Sequence, residues 1–388
     1  MYKVATLNKI SPAGLDLFTD RYEITDNTDE ATAIIVRSAD LHDTPLPCCL
    51  LAIARAGAGV NNIPVDKCAE QGVVVFNTPG ANANAVKEIV LSGMIMAARN
   101  IPAAIEWEAT LTENVAKAVE KGKGQFTGEE IMGKTLGVVG LGYIGVLVAN
   151  AAEALGMKVV GFDPCLSLKA AHDLSPTVKL YDKLPAMFPI CDYITLHIPS
   201  NKETNGMFDY ELFQTMKSKS VLLNFSRDKL IVSEDLKRAL AENKLRYYVT
   251  DFPTDDVQGI DGVMLIPHLG ASTEESEENC AIMAVEEIMD FIEYGNILNS
   301  VNYPTIQAEK WDKGPRIVVL HKNIPSMLST QTSSLASMGI NISNMVNKSK
   351  GDYSCTLLDC DEDVDEAAVK EAFAVDGIIS VRVIPKRK

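Results

Sequence analysis

The chain has 388 residues, 36 of them basic and 52 acidic, for a net charge of −16. At roughly 100–200 residues per domain this length holds two to four domains, and 47% apolar with 23% charged residues is ordinary globular composition. Such acidity argues against nucleic acid or an anionic membrane surface as partner, and no apolar run reaches the roughly 18 residues of a membrane span.

The opening MYKVATLNKISPAG lacks the apolar core of a signal peptide and reads as a mature N-terminus. Eight cysteines, at 48, 49, 68, 165, 191, 280, 355 and 360, form no C-x-x-C pair. Free thiols in a reducing cytoplasm are expected, with no metal site. Short β-branched runs come first: YKVATL, TAIIVRS, LLAIARAG and GVVVFNT. Helical patterns separate them, in NNIPVDKCAEQ and NAVKEIVLSGMIMAARN. This alternation predicts a parallel, doubly wound sheet. The segment from about 100 to 130 is charged, carries one of only two tryptophans and reads as a helix and linker between lobes.

A second strand series follows: TLGVVG, KVVGFD, YITLHIP, SVLLNFS, RYYVTDF and GVMLIPH. A long amphipathic helix is expected from about Thr273 to Tyr294, with glutamates in its first turn to suit the helix dipole. Residues 296–314 read as a linker. The last 73 or so residues carry a β-α-β-β-α-β pattern, a small ferredoxin-like α+β unit. The expected architecture is therefore α/β, with two Rossmann-like doubly wound lobes and the appended unit. The first lobe is discontinuous (1–98 with 291–305), the second spans 99–290, and the appended unit spans 315–388.

Gly140, Gly142 and Gly145 form G-x-G-x-x-G between the strand TLGVV and a helix. The next strand ends at Asp163, 18 residues past Gly145. The glycines permit a tight turn, close backbone approach to a pyrophosphate, and tight helix–strand packing. The helix N-terminus favours the anion. Asp163 would accept hydrogen bonds from ribose hydroxyls and repel a 2′-phosphate, so NAD is expected over NADP. A second match, Gly128 to Thr135, fits G-x-x-x-x-G-K-[ST]. It precedes its strand instead of following one and carries two glutamates, so it reads as chance.

A hydride-transfer enzyme for hydroxy acids needs a base for the hydroxyl proton, and histidine titrates nearest neutrality. Of five histidines, His268 lies in IPHLGAST at a strand end, where open α/β sheets bind ligands. His42 and His172 sit in polar, loop-like stretches, and His197 reads as packed or cofactor-adjacent. Arg227, in LLNFSRD, offers a planar fork for a carboxylate. Asp251 and Asp255, in TDFPTDD, are carboxylates that could orient a histidine or serve only as turn residues.

GLGYIG, FDP, LHIP, LLNFSR, TDF and PHLGAST occur in the order seen in the D-isomer-specific 2-hydroxyacid dehydrogenases. RAGAGVNN and FNTPGANANAVKE resemble that family's substrate lobe, and the C-terminal unit resembles an ACT regulatory domain. The resemblance implies that Arg227 binds the substrate carboxylate and carbonyl oxygen. His268 would take the hydroxyl proton, with Asp255 as its partner and Asp256 the next choice. It implies NAD contacts at Thr78, Tyr143, Ile144, Asp163, Ile198, Phe225 and Asp251, the last near the nicotinamide amide.

The backbone of Ala56, Gly57 and Ala58 would meet the substrate carboxylate. Arg37, Arg55 and Lys87 are candidates for a substrate phosphate. The implied reaction is oxidation of 3-phospho-D-glycerate to 3-phosphooxypyruvate, the entry to L-serine synthesis, by a cytoplasmic homodimer or homotetramer. His321, Asn323 and Asn341 match positions that bind an L-serine effector across a pair of ACT domains. Three residues depart from the family pattern: Asp255 stands for glutamate, Asp228 for the glycine after the arginine, and Ser326 for the glycine of N-x-P-G. The alternatives are another D-2-hydroxy acid, such as glycerate or 2-hydroxyglutarate, and an NAD-sensing binding protein with weakened catalysis.

Overall fold

A computed structural model describes residues 1–386. The chain divides into two compact units, one built from residues 1–82 together with 274 onward and the other from 83–273.

In the first unit β1 (Tyr2–Leu7), β2 (Tyr22–Thr25), β3 (Ala33–Val36), β4 (Ala52–Arg55) and β5 (Val74–Asn77) form a parallel sheet. Its order, β2-β1-β3-β4-β5, is that of the flavodoxin-like doubly wound folds. All four residues of β3 are buried, as expected for a strand covered on both faces. The helix Glu274–Tyr294 returns to cover this sheet, burying Ala281, Ala284, Val285, Ile288 and Phe291 beside Val4, Ile35, Ala54 and Phe76.

In the second unit β6 (Thr135–Val139), β7 (Lys158–Phe162), β8 (Lys179–Leu180), β9 (Tyr193–Leu196), β10 (Ser220–Asn224), β11 (Leu245–Thr250) and β12 (Val263–Leu265) form a parallel sheet. From β8 the order runs β8-β7-β6-β9-β10-β11-β12. This contains the 3-2-1-4-5-6 arrangement of dinucleotide-binding folds, with its switch point between β6 and β9. The helix Ala83–Arg99 buries Val86, Val90, Met94 and Ala97 against this unit's core.

These two long helices depart from the expected boundaries. The helix Ala83–Arg99, assigned from sequence to the first lobe, packs in the second unit. The helix Glu274–Tyr294, assigned mainly to the second lobe, packs in the first. Helix periodicity marks the apolar face of each helix but does not say which sheet that face meets.

A third sheet, within the first unit, contains β13 (Arg316–Lys322), β14 (Ile342–Lys350), β15 (Tyr353–Cys360) and β16 (Ile378–Ile384). It is antiparallel in the order β14-β15-β13-β16. The helices Met327–Ser337 and Glu366–Ala372 complete the ferredoxin-like unit, with Leu335 and Val369 packed against Ile317, Val319 and Leu358. The other sheet face joins the core of the first unit through Val318, Leu320, Cys355 and Leu357. Arg382 fastens this junction: its guanidinium donates to the carbonyls of Phe291 (2.7 Å) and Ile292 (2.6 Å), near the end of the long helix.

The expected linker 296–314 is in large part packed structure. Ile297, Tyr303 and Ile306 are buried, and the Tyr303 hydroxyl donates to the Ala69 carbonyl at 2.7 Å. The amide of Asn302 accepts from the Val75 N–H and donates to the Val73 carbonyl, satisfying the edge of β5. Prolines and polar residues give this stretch the composition of a linker, while its spaced apolar residues fill the core.

Ser326 adopts φ +72°, so it holds the left-handed turn that glycine usually supplies. A Cβ in this region costs about 1–2 kcal/mol. Ser326→Gly is therefore expected to stabilise the C-terminal unit by about 1 kcal/mol, read as a raised urea midpoint at unchanged m.

Candidate active site

In the second unit the glycine loop sits at the switch point, between β6 and the helix Tyr143–Ala154. Gly140 has φ +91°, and a Cβ there would strike the His197 carbonyl. On Gly145 a Cβ would overlap the Gly140 carbonyl oxygen, whereas Gly142 faces open space. These are the three conditions a bound pyrophosphate requires: a turn, an approach and a close packing. Asp163, at the end of β7, accepts from the Leu141 N–H and the Cys165 N–H, both at 2.8 Å, which places its carboxylate beside the glycine loop. Tyr143 is exposed at the helix start. Ile198 follows β9, and its carbonyl accepts from the Ser226 hydroxyl at 2.8 Å. Phe225, buried at the end of β10, lies beside Gly93.

The ends of β10 and β11 assemble the polar centre. Asp251 is 1% exposed. Its Oδ2 accepts from the Gly270 N–H at 2.8 Å, its carbonyl accepts from the His268 N–H at 3.0 Å, and its Oδ1 has no hydrogen-bond partner among the described residues. Burial pushes this carboxyl above the usual aspartate range, opposed by the Gly270 N–H, then by His268 and Arg227. The His268 ring is exposed and packs against Phe252, centroids 4.9 Å apart.

Arg227 donates from Nη1 to the Ser226 carbonyl at 2.5 Å. Asp228 is exposed, makes no ion pair with Arg227 and opens the short helix Asp228–Leu230. That backbone needs no glycine there.

Asp255 is exposed in a turn in which the Val257 and Gln258 N–H groups donate to the Thr254 carbonyl. Among the described residues no hydrogen bond or ion pair joins Asp255 or Asp256 to His268. The turn leaves Asp255 exposed, and the tie between the 251 and 268 segments is the backbone one from the His268 N–H to the Asp251 carbonyl.

A residue not singled out from sequence anchors Arg227. Asn224 is fully buried, its Nδ2 donates to the Arg227 carbonyl at 2.8 Å, and its Oδ1 accepts from the Ser226 and Arg227 N–H groups. Thr250 in turn donates to the Asn224 carbonyl at 2.7 Å. The signal was present: each is a buried polar residue at the last position of its strand. His197 is a packed residue, its Nε2 3.0 Å from the Thr195 hydroxyl, and burial lowers its pKa to about 3, so it stays neutral. The chance phosphate-loop match is not built as one: Lys134 pairs with Glu129 at 2.7 Å and Thr135 opens β6.

In the first unit, the loop after β4 holds Ala56, Gly57 and Ala58. The Ala58 carbonyl accepts from Asn77 Nδ2 at 2.6 Å, and the Gly57 carbonyl accepts from the Thr78 N–H at 3.2 Å. Thr78 is fully buried. Arg55 donates from Nε to the Arg37 carbonyl at 3.1 Å, and Arg37 pairs with Glu277 at 2.6 Å. Lys87 belongs to the other unit, where its ammonium donates to Asn84 Oδ1 on the same helix at 2.5 Å.

In the C-terminal sheet His321 is buried, its Nε2 2.9 Å from the Thr356 hydroxyl and its Nδ1 against the Lys322 carbonyl. Asn323 donates to the Gly351 carbonyl beyond one end of β14, and Asn341 to Asp361 before the other. About 30 Å of strand separates them, so a single chain does not join the three effector candidates.

Residues 91–270 match the family model described as the D-isomer specific 2-hydroxyacid dehydrogenase, NAD binding domain. The chain is 37% identical over 270 residues to a D-3-phosphoglycerate dehydrogenase of Methanocaldococcus jannaschii, an alignment covering 68% of this chain. It spans 50% of that relative's length. It is 29% identical over 348 residues to the D-3-phosphoglycerate dehydrogenase of Escherichia coli, covering 86% of this chain and 82% of that one. Among solved structures, NAD+-bound 3-phosphoglycerate dehydrogenase of Entamoeba histolytica superposes with a TM-score of 0.63 at 28% identity, covering 78% of this chain and 98% of that one.

Proposed function

We propose that this chain, which belongs to the D-isomer-specific 2-hydroxyacid dehydrogenase family and carries its NAD-binding domain, oxidises 3-phospho-D-glycerate to 3-phosphooxypyruvate. The observation that carries the reading is that the buried Asp251, tied by hydrogen bonds to Gly270 and the His268 N–H, and Arg227, tied to Asn224, stand at strand ends of the sheet that holds the glycine loop. Bound NAD supplies the acceptor for the hydride leaving C2 of the substrate. The Arg227 guanidinium, fixed through its backbone by Asn224, receives the substrate carboxylate and the oxygen that becomes the carbonyl. The exposed His268 imidazole takes the hydroxyl proton. Asp251 tethers the 268–270 segment and offers its unpartnered Oδ1 to the nicotinamide amide. Asp163 receives the ribose hydroxyls and disfavours a 2′-phosphate. Arg37 and Arg55 are the cations assigned to the substrate phosphate, and residues 56–58 supply backbone to its carboxylate.

A homo-oligomer fits the same reading. Residues 101–130 contain no buried residue, although they carry Trp107, packed on Phe126 at 5.3 Å, and Ile105, which is 63% exposed. L-serine binding at His321, Asn323 and Asn341 would need two copies with their β14 strands side by side.

The test is NADH formation with 3-phospho-D-glycerate, D-glycerate and D-2-hydroxyglutarate, with NAD and with NADP, and with L-serine added. Turnover of the phosphorylated acid with NAD at the highest kcat/KM is expected. A non-phosphorylated acid preferred tenfold or more would move the reading to another D-2-hydroxy acid. No turnover of any acid, with NAD still bound, would favour the sensing protein.

A further inference from the structure

The strand order β2-β1-β3-β4-β5 places the switch point of the first sheet between β1 and β3. Ligands of such sheets bind beyond the strand ends at that point. Two short segments occupy this position: Asn8 directly after β1, and Arg37–Ala39 directly after β3, with Leu7 and Val36 in register. Asn8 has φ +75°, a left-handed conformation that turns the chain at the strand end. Its Oδ1 accepts from three successive N–H groups, those of Arg37 (3.3 Å), Ser38 (2.9 Å) and Ala39 (2.9 Å). The Arg37 carbonyl is held from the other side by Arg55 Nε at 3.1 Å. The backbone of Arg37 is thus fixed on both faces, while among the described residues its guanidinium pairs with Glu277. That pair is more than a third exposed on both sides and contributes little, so a phosphate dianion can replace the carboxylate.

We propose that Asn8 is a positioning residue for the phosphate of the substrate, its Oδ1 fixing the turn from which Arg37 is presented. The inference rests on the function proposed above and adds a residue that touches neither substrate nor cofactor. Three N–H groups converging on one acceptor leave the turn a single geometry. Without the acceptor they turn to water and the arginine loses its fixed origin, a cost that falls on ground-state binding and spares the chemical step.

Asn8→Gly separates the two contributions of the side chain, because glycine keeps the positive φ without strain and removes only the acceptor. In the free enzyme, amide hydrogen exchange at 37–39 is expected to quicken while β6 to β12 stay protected. In the assay, KM for 3-phospho-D-glycerate is expected to rise about tenfold, with kcat and the KM for NAD within twofold of wild type. Faster exchange with an unchanged KM overturns the proposal, and so does unchanged exchange. If wild type fails to turn over the phosphorylated acid, the function falls while the exchange result still reports on the turn. Should the glycine variant not fold, Asn8→Asp keeps both acceptor and turn, and a KM more than about threefold above wild type there overturns the proposal.

Discussion

Replacing His268 with asparagine is expected to cut kcat by about a hundredfold to ten-thousandfold, the range that a positioned general base supplies. The side chain stands at the end of the loop after β12, and its backbone N–H is tied to the Asp251 carbonyl at 3.0 Å. Its ring packs on Phe252, and among the described residues it makes no side-chain hydrogen bond. The tether and the ring contact fix where the imidazole stands and leave its nitrogens available for a hydroxyl proton. Asparagine keeps the backbone tether and removes the base, so NAD affinity should stay within about twofold of wild type. Stopped-flow single-turnover rates of NADH formation check it, because they isolate chemistry from product release. A loss smaller than tenfold would remove His268 from the role of base.

Arg227, Asp251 and His268 stand out as candidates in the sequence because each lies within three residues of a strand end, and strand ends of open α/β sheets are where ligands bind. The glycine loop was legible for a similar reason: strand, turn, helix and acid follow within thirty residues, a span that local geometry controls. The path of the turn that carries Asp255 was not legible. Asp251 and Asp255 lie four residues apart on the same loop, and only the path of the turn at 255–259 decides which carboxylate stays inside. The two long helices were misassigned for a related reason. The apolar face of an amphipathic helix is explicit in sequence, but the sheet it meets depends on contacts far along the chain. Asn224 and Asn8 escaped notice because hydrogen bonds to backbone groups leave no spacing signature of their own.

The second large effect separates the two aspartates. Asp251→Asn is expected to lower kcat/KM for NAD roughly tenfold to hundredfold, the worth of a hydrogen bond to a charged group, whereas Asp255→Asn stays within twofold of wild type. Asp251→Asn should also raise the thermal midpoint at neutral pH. The Asp251 carboxyl is 1% exposed, with one oxygen lacking a partner, and burial raises its pKa in the folded state. Below the unfolded value of about 3.9 both states hold the proton and the site carries no penalty. As pH rises from there, the folded state gives up its proton less readily than the unfolded state, so stability falls through the folded value. Asparagine keeps an acceptor for the Gly270 N–H and has no charge to bury, so stability should gain where cofactor binding loses. Thermal midpoints of wild type and Asp251→Asn measured across pH 3 to 8 should converge at the acid end and separate above it. Midpoints that separate in the opposite order would mean that His268 and Arg227 outweigh burial, and that Asp251 is held as a stabilising carboxylate in the folded enzyme.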